Sequence, residues 1–385
     1  MIKQKALRFS CAFLILTASS AGHANVGSRL VGYGAKAQSM GGAGVAFPQD
    51  AIAAANNPAG MALVGNRVDA DIHMVYADAD VEFLSSSNRH EGNIFLAVPE
   101  LGVNYQLTPN LTIGLSTAAS GMAFKFEDPI LPIPGLQRNK FSVRQVDFLP
   151  TVAYRFDNGL ALGLSFLYAV QHSSLQGVPG PFPGGQNPDY GTEKSYGTAW
   201  KAGGLWTINE RLAFGASYTP KVNMSKLSGY KDDLLSSAGG SIDSPEQYTV
   251  GVSFKLADRW AAALDYQHLA WDKVDVYSDM FGWRDQNVVK AGVSYDLSDD
   301  WVLRGGMSHA RLHTTSKYAA PNFLLIGINS TAFTVGATRK ISASSELNFA
   351  LEYDYGDPLD GSGPSEGTKI DANYYEFTVG YGWRF

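Results

Sequence analysis

The sequence predicts an all-β protein: a 14-stranded antiparallel transmembrane β-barrel with an N-terminal hatch that plugs the lumen. From about residue 67, bulky apolar residues alternate with small or polar ones, which is the period-two pattern of a strand with two different faces. Short turns alternate with long polar loops between these segments, as in barrels that span outer membranes. Before residue 67 the chain shows neither strand alternation nor a broad helical stripe, and this difference predicts a separate N-terminal unit.

The first 24 residues have the features of a secretory signal peptide. Basic residues from Lys3 to Arg8 precede an apolar run at 9–17, and small residues lead to a cleavage site after Ala24. The run is too short to cross a membrane as a helix. Cys11 is the only cysteine and lies in this leader, so we expect a mature chain without disulfides or thiol chemistry.

Residues 25–65 are predicted to form the hatch, and residues 66–385 the barrel. The stretch 32–47 is rich in glycine and alanine, which let a backbone pack closely against other backbone. Asn57 and Pro58 follow, and this pair favours a turn. Such a segment, upstream of a barrel of this size, is expected to fold into the lumen.

The fourteen strands are predicted from the alternation, which is clearest in the last one. There Tyr375 and Phe377 lie on one face, whereas Glu376 and Thr378 lie on the other. The predicted strands are 67–76, 99–107, 111–119, 142–156, 160–171, 194–207, 211–220, 245–256, 260–274, 286–297, 301–312, 328–341, 345–356 and 370–385. The predicted long loops are 77–98, 120–141, 172–193, 221–243, 275–285, 313–327 and 357–369. An even number of strands puts both termini on the periplasmic side, where the short turns lie.

Aromatic residues also indicate a membrane barrel. Trp206, Trp260, Trp301 and Trp383 lie beside the short turns on the apolar faces of their strands, as the aromatic girdle at a membrane interface requires. Phe385 ends the last strand with an aromatic ring, which resembles the signal read by the barrel-assembly machinery. That machinery and outer-membrane lipid are therefore expected partners. A soluble β-sandwich is the alternative, but it gives no reason for the segregation of short and long connections.

Composition and motifs argue against other classes of function. Charged residues make up 17% of the chain and the net charge of −6 is spread along it, so no nucleic-acid partner is expected. His309 and His313 are four residues apart, but no acid completes a metal site, and no catalytic nucleophile stands out. No metal, cofactor or catalytic residue is expected. An outer-membrane enzyme acting on lipid is one alternative, and a general diffusion porin, which lacks such a plug, is another.

The N-terminal unit also resembles a known family. Residues 37–46, Asp50 and residues 57–60 are similar to the hatch of the FadL/TodX-type outer-membrane transporters, including its Asn-Pro-Ala motif. The similarity continues at 212–220 and at 295–306 and covers essentially the whole mature chain. It implies a monomeric barrel whose hatch contains Gly41, Gly42, Asn57, Pro58 and Ala59.

The resemblance further implies passive transport of hydrophobic small molecules across the bacterial outer membrane. Long-chain fatty acids are the first expectation for the cargo, and aromatic hydrocarbons are the alternative. Extracellular loops would capture the cargo, which would leave sideways through a gap where the third strand, 111–119, kinks inward. Small residues at 118–121 permit a kink or bulge, although they also fit a strand that simply enters a loop.

Two groups of residues are candidates for substrate binding. Apolar residues in predicted loops would capture the cargo, because exposed apolar patches mark binding surfaces. Cations with lumenal parity would meet a carboxylate, unless they pair with other lumenal charges or hold the hatch, which is the more ordinary use. The candidates are Phe124, Phe126, Ile130, Leu131 and Ile133 in the loops, and Lys201 and Lys290 in the lumen.

Overall fold

The computed structural model describes residues 29–131, 133, 136–178, 191–356 and 358–385. The predicted signal peptide, residues 1–24, lies outside the described residues. Within the described ranges, no helix is long and apolar enough to cross a membrane.

The described residues form a closed antiparallel barrel of fourteen long strands, which confirms the predicted fold. Each strand pairs with the next, and the last pairs with the first from Arg67↔Arg384 to Glu82↔Lys369. A two-residue strand, Leu359–Asp360, adds to the upper end of the last strand. The strands are β1 Arg67–Glu82, β2 Arg89–Gln106, β3 Leu111–Phe126, β4 Lys140–Arg155, β5 Leu160–Gln176, β6 Thr192–Asn209, β7 Leu212–Thr219, β8 Glu246–Ala257, β9 Trp260–Ala270, β10 Gln286–Asp296, β11 Trp301–Ala310, β12 Thr331–Lys340, β13 Ser345–Tyr355 and β14 Lys369–Arg384.

Several strands extend further toward the cell surface than the sequence predicts. The predicted loop 77–98 is instead the continuation of β1 and β2, and only residues 83–88 connect them. The alternation continues there with its polarity reversed: Ala77 and Val81 are buried inside, whereas Asp78 and Asp80 face outward. This reversal follows from the surroundings, because above the membrane the outer face meets water and the loops fill the inside.

The connections at the cell-surface end pack into a cap over the barrel. One apolar cluster contains Leu227, Trp271, Trp283 and Leu325, and a second contains Phe83, Phe124, Phe126, Ile130 and Phe323. The short helices of the cap are Ser236–Ala238, Trp271–Lys273, Val276–Met280, Ser316–Tyr318, Pro321–Phe323 and Gly363–Ser365.

The opposite end carries the aromatic residues predicted for the membrane interface. Trp206, Trp260 and Trp383 are about half exposed on the outer face, near the short turns. Trp301 is partly covered by Arg339, whose guanidinium lies 5.0 Å from the ring centroid. Phe385 lies on this rim and is exposed; its role as an assembly signal stays a prediction.

The hatch (here residues 29–65) fills the lower lumen. It contains α1 Ala35–Gln38, α2 Ala53–Asn56 and a 3-10 helix, Pro58–Leu63. Most of its side chains are buried, although the segment is too small to have a core of its own. The barrel wall therefore provides the surface against which it packs.

Candidate functional site

Glycines on the inner wall allow the hatch backbone to touch the barrel backbone. A Cβ at Gly102, Gly163 or Gly292 would overlap with the backbone of Ala51, Pro58 or Met40, respectively. Side chains at these positions would hold the hatch away from the wall. Part of the abundance of glycine in this sequence is thereby explained.

The hatch glycines Gly41 and Gly42 lie at the same kind of close contact. Their φ angles are 65° and 78°, in the left-handed region that favours glycine. A Cβ at Gly41 would overlap with the backbone of Met307 on β11, and one at Gly42 would overlap with the carbonyl of Val31. The structure thus places both residues at a tight turn against the wall.

Asn57 connects three parts of the molecule. Its amide nitrogen donates to the carbonyl of Val45 at 2.7 Å and to the carbonyl of Gly204 on β6 at 3.0 Å. Its side-chain oxygen accepts from the backbone nitrogen of Ala59 at 3.1 Å, and Pro58 begins the 3-10 helix that this bond caps. Asn57, Pro58 and Ala59 are all buried in the lumen.

Inward-facing carboxylates on the wall accept hydrogen bonds from hatch backbone amides. Asp265 on β9 accepts from Gly44 and Val45, at 2.8 and 2.9 Å. Asp71 and Glu100 accept from Ala35 and Gly34, at 2.6 and 2.7 Å. Hydrogen bonds to a charged acceptor are stronger than neutral ones, so these acids are principal anchors of the hatch.

The two candidate lysines also contact the hatch. Lys290 donates to the carbonyl of Val31 at 2.8 Å, and Lys201 donates to the carbonyl of Ala55. Both ammonium groups are buried. In the structure, both lysines therefore hold the hatch. Binding of a substrate carboxylate by these lysines stays a prediction.

The barrel wall is interrupted between β2 and β3. The two strands pair at Gly92↔Phe126 and Asn93↔Lys125, then part, and pair again from Gly102↔Ser116 down to the turn. The register is the same above and below, so residues 94–101 and 117–124 separate and rejoin without slipping. At the lower edge, the Leu101 amide donates to the Thr117 hydroxyl at 2.8 Å instead of to a strand carbonyl.

The glycine that the sequence indicated has an unusual backbone conformation within the third strand. Gly121 has φ 150°, and a Cβ there would overlap with the carbonyl oxygen of Val143 on β4. Beside it, Ser120 forms an isolated bridge with Arg29 at the start of the hatch. Strand β3 continues to Phe126, so the predicted end at 119 is wrong and Gly121 lies within the strand.

A cavity of about 430 Å³ lies at this opening. Residues 94, 96–99 and 119–123 of the parted strands line it, and most of them are apolar. Its inner side reaches Glu352, Asp354 and Glu376, together with Arg29. Arg144 stands at its outer side, so the cavity connects the lumen with the outer face of the barrel.

The predicted capture residues are for the most part not exposed. Phe124 and Phe126 are inward-facing strand residues, and Ile130 is fully buried in the cap, so their placement in an exposed loop is wrong. Leu131 is partly buried, and Ile133 is 40% exposed. The physical reason is that the two faces of the wall change character above the membrane. There the outer face meets water, so apolar residues pack inward.

The cap has a small apolar cavity of its own, of about 50 Å³. Tyr277, Met280, Leu324 and Leu325 contribute to its wall. His313 lies nearby, with its ring centroid 3.9 Å from that of Trp283, and neither of its ring nitrogens has a hydrogen-bond partner in the described part of the chain. Among the described residues, no group of three or more acids, histidines or cysteines is placed to hold a metal ion.

Comparison with solved structures supports the fold. The chain is similar to the Pseudomonas putida toluene transporter TodX, with 17% identity and a TM-score of 0.71 over 93% of this chain and 100% of that one. It is also similar to a Pseudomonas aeruginosa FadL homologue, with 14% identity and a TM-score of 0.67 over 95% and 100%. A third similar structure is the Ralstonia pickettii toluene transporter TbuX, with 17% identity and a TM-score of 0.66 over 92% of this chain and 99% of that one.

Sequence comparison identifies the family. The chain is 22% identical over 221 residues to a 47 kDa outer membrane protein of Pasteurella multocida (strain Pm70), a match that covers 48% of this chain. The chain spans about half the length of that curated relative (50%). Residues 17–357 match the family model described as outer membrane protein transport protein (OMPP1/FadL/TodX). The protein therefore belongs to this family of bacterial outer-membrane transport proteins.

Proposed function

We propose that the protein takes up long-chain fatty acids and releases them sideways through the opening between β2 and β3. The observation that carries this proposal is the interruption of the ladder over residues 94–101 and 117–124, with an apolar cavity inside it. An open ladder leaves backbone groups unpaired within a membrane barrel, which is costly. Such a cost is expected where the gap has a use.

A sideways exit also follows from the position of the hatch. The hatch occupies the lumen below the cavity and is anchored to β1, β2, β6 and β9 by buried hydrogen bonds. A straight path to the periplasm would require these bonds to break. Transfer from an apolar cavity into the adjacent membrane exposes little apolar surface to water, so it requires no energy source.

Entry is proposed to occur through the cap. The small cavity lined by Met280 and Leu324 lies among the cell-surface loops and is almost wholly apolar. Ile133 adds an exposed apolar side chain on the same side of the barrel. These groups would hold the cargo before it reaches the larger cavity below.

Arg29 supports a fatty acid as cargo. It is buried at the cavity, 3.7 Å from Asp147, and its Nε atom has no hydrogen-bond partner among the described residues. A carboxylate of the cargo would provide that partner, while the apolar wall takes the chain.

A neutral aromatic hydrocarbon is the second candidate. Glu352, Asp354 and Glu376 all line the inner side of the cavity, and a wall of carboxylates disfavours an anionic cargo. A molecule without charge would pass these groups without that penalty.

The route and the cargo are tested together in a deletion strain that produces variants of this protein. Ala119 lines the opening, so Ala119→Phe should fill it and lower uptake. Ala262→Phe is the matched control, because Ala262 has the outward parity of β9 on another part of the wall. Uptake of radiolabelled palmitate and of radiolabelled toluene is measured for each variant.

The expected result is a loss of palmitate uptake in Ala119→Phe alone. If wild type does not transport palmitate, and Ala119→Phe loses uptake of toluene, the cargo is an aromatic hydrocarbon and not a fatty acid. Normal uptake in a folded Ala119→Phe protein would remove the opening from the route.

A further inference from the structure

The outer surface of the barrel has a marked charge asymmetry at the cell-surface side of the membrane. On each strand, the outward-facing apolar residues end at a first polar residue, which marks the height of the lipid–water boundary. On β3 to β6 the first ionisable residue above the apolar stretch is basic: Lys125, Arg144, His172 and Lys194, with one outward-facing threonine below it on β3 (Thr117) and on β6 (Thr198). On most other strands the corresponding residues are acids, amides or hydroxyls, with two histidines: Asp78, Asn93, Glu246, His268, Asn287, His309, Thr331 and Asn373. We call the four basic residues the cationic arc.

Three members of the arc are neighbours across the sheet. Arg144 on β4 lies directly opposite His172 on β5, and His172 lies directly opposite Lys194 on β6. Residues paired in this way have Cβ atoms about 5 Å apart, so one ligand can contact neighbouring members of the arc. Among the described residues, none of the three forms an ion pair with a carboxylate.

The acid nearest in sequence does not neutralise the arc. Glu193 precedes Lys194 but accepts a hydrogen bond from the backbone nitrogen of Gly229, at 2.7 Å, on the inner side. Arg144 and Lys194 are exposed, and His172 is partly exposed. Within the described part of the chain, the arc therefore presents positive charge without a carboxylate partner to whatever surrounds the barrel at this height.

A row of hydroxyl groups lies directly above the arc. Ser142 pairs with Ser174, and Ser174 pairs with Thr192, so the three residues stand one step further up the same outer face. The Oγ atom of Ser142 is buried, without a hydrogen-bond partner among the described residues, whereas Ser174 is partly exposed and Thr192 is exposed. Below the arc, the outward residues are apolar: Val146, Phe148, Val170, Tyr168 and Tyr196.

We propose that the cationic arc binds the phosphate groups of a lipid in the outer leaflet of the membrane. From bottom to top, the outer face carries an apolar wall, then cations, then hydroxyls. This order matches that of acyl chain, phosphate and polar headgroup in such a lipid. Guanidinium and ammonium groups bind phosphate oxygens through charge-assisted hydrogen bonds, and hydroxyls donate to the remaining oxygens. A bound phosphate also offsets the positive charges of Arg144 and Lys194, which lie on either side of His172.

The position of the arc gives this lipid a defined neighbour. Arg144 pairs with Gly121 on β3, and both line the cavity at the opening. A lipid held by the arc would therefore stand beside the opening between β2 and β3 and form part of its membrane-side border.

The proposal is tested by native mass spectrometry of the purified full-length barrel with bisphosphorylated lipid A as the probe. The test variant is Arg144→Gln/Lys194→Gln. The control variant is Arg211→Gln/Lys340→Gln, which removes the same charge from exposed residues at the periplasmic end. We expect the test variant to bind lipid A about 30-fold more weakly, because each Lys or Arg at an anionic membrane surface contributes about 1 kcal/mol. Wild type and control should bind alike and prefer lipid A over its dephosphorylated form.

Three competing probes separate the sources of the anion. Equal binding of dephosphorylated lipid A, or unchanged binding by a folded test variant, would overturn the proposal. Displacement of lipid A by palmitate at equal concentration would show that the arc binds cargo carboxylates instead. Displacement by low millimolar inorganic phosphate would show a site for free anions and not for a lipid. Folding of each variant is checked by the heat-dependent mobility of the barrel, which these surface substitutions should leave unchanged.

Discussion

The side-chain amide of Asn57 in the hatch donates to the carbonyl of Gly204 on the barrel wall, at 3.0 Å. The same amide reaches Val45, so one side chain holds two hatch segments against β6. Substitution of Asn57 therefore tests how the hatch is anchored. Two different substitutions at this position serve as controls for each other.

Asn57→Asp keeps the oxygen that caps Ala59 but loses both donated hydrogen bonds, whereas Asn57→Ala loses all three. Each bond contributes about 1 kcal/mol, so Asn57→Asp should raise the population of the loosened hatch about 30-fold. The measurement is entry of a small antibiotic into cells together with protease cleavage of the hatch in the folded barrel. If antibiotic entry and protease cleavage of the hatch stay at the wild-type level in both variants, this account of the anchoring is wrong.

Lys290→Met should loosen the first part of the hatch. The ammonium group donates to Val31 from a buried position, and a hydrogen bond from a charged donor contributes about 1.5–3 kcal/mol. Methionine keeps most of the stem and removes the donor. Hydrogen exchange of residues around Val31 should increase, whereas Lys340→Met, at an exposed position, should have no effect. If exchange stays at the wild-type rate and palmitate affinity falls, Lys290 binds cargo and not the hatch.

Substitutions of Ile133 and Ile130 should distinguish an effect on substrate capture from an effect on the stability of the cap. Ile133→Ser removes exposed apolar surface and should weaken uptake at low substrate concentration without changing the cap. Ile130→Ser opens a hole in the buried cluster with Phe124 and Phe126 and should destabilise the cap by about 2–5 kcal/mol. Uptake at several palmitate concentrations and protease resistance of the cap distinguish the two effects. Ile133 has no role in capture if its substitution leaves uptake unchanged at every concentration.

The cap should loosen in acid because of His313. Burial lowers the pKa of this side chain to about 3, while the pKa of an unfolded histidine is about 6.5. The folded cap holds the neutral ring, so its stability is complete above pH 6.5 and falls by up to about 1.4 kcal/mol per pH unit between pH 6.5 and 3. Acrylamide quenching of Trp271 and Trp283 should therefore rise between pH 7 and pH 4.5. His313→Phe should reduce that rise; an equal rise in this variant would assign the acid effect to other groups.

The fold was predictable because alternation and turn chemistry persist across every strand within the membrane. The upper ends were not, because the polarity of the alternation reverses there: Phe124 and Phe126 point inward while Lys125 points outward. A pattern that assumes one apolar face for the whole strand ends such a strand too early. A search for that reversal would have found the extensions of β1, β2 and β3.

The site was predictable only in part. The hatch motif indicated Gly41, Gly42 and Asn57, and small residues around Gly121 permitted an unusual backbone conformation in β3. The sequence does not predict the parting of β2 from β3: residues 94–101 carry apolar side chains on both faces and include Pro99, so most of them fall in a predicted loop instead of in an interrupted strand. Likewise, parity places Lys201 inside the barrel but does not reveal which carbonyl of the hatch it meets.

The central claim, exit between β2 and β3, is tested most directly by a reversible covalent staple across the gap. If the ladder continued in its register, Val98 would lie opposite Ser120, so Val98→Cys/Ser120→Cys allows a disulfide that draws the strands together. Val103→Cys/Leu115→Cys is the control, because these residues already face each other in the closed ladder. Mass spectrometry measures disulfide formation, and uptake of radiolabelled palmitate and toluene is followed before and after reduction. The account predicts that the Val98–Ser120 staple blocks uptake, that reduction restores it, and that the control staple does neither; full uptake through a completely stapled opening would contradict it.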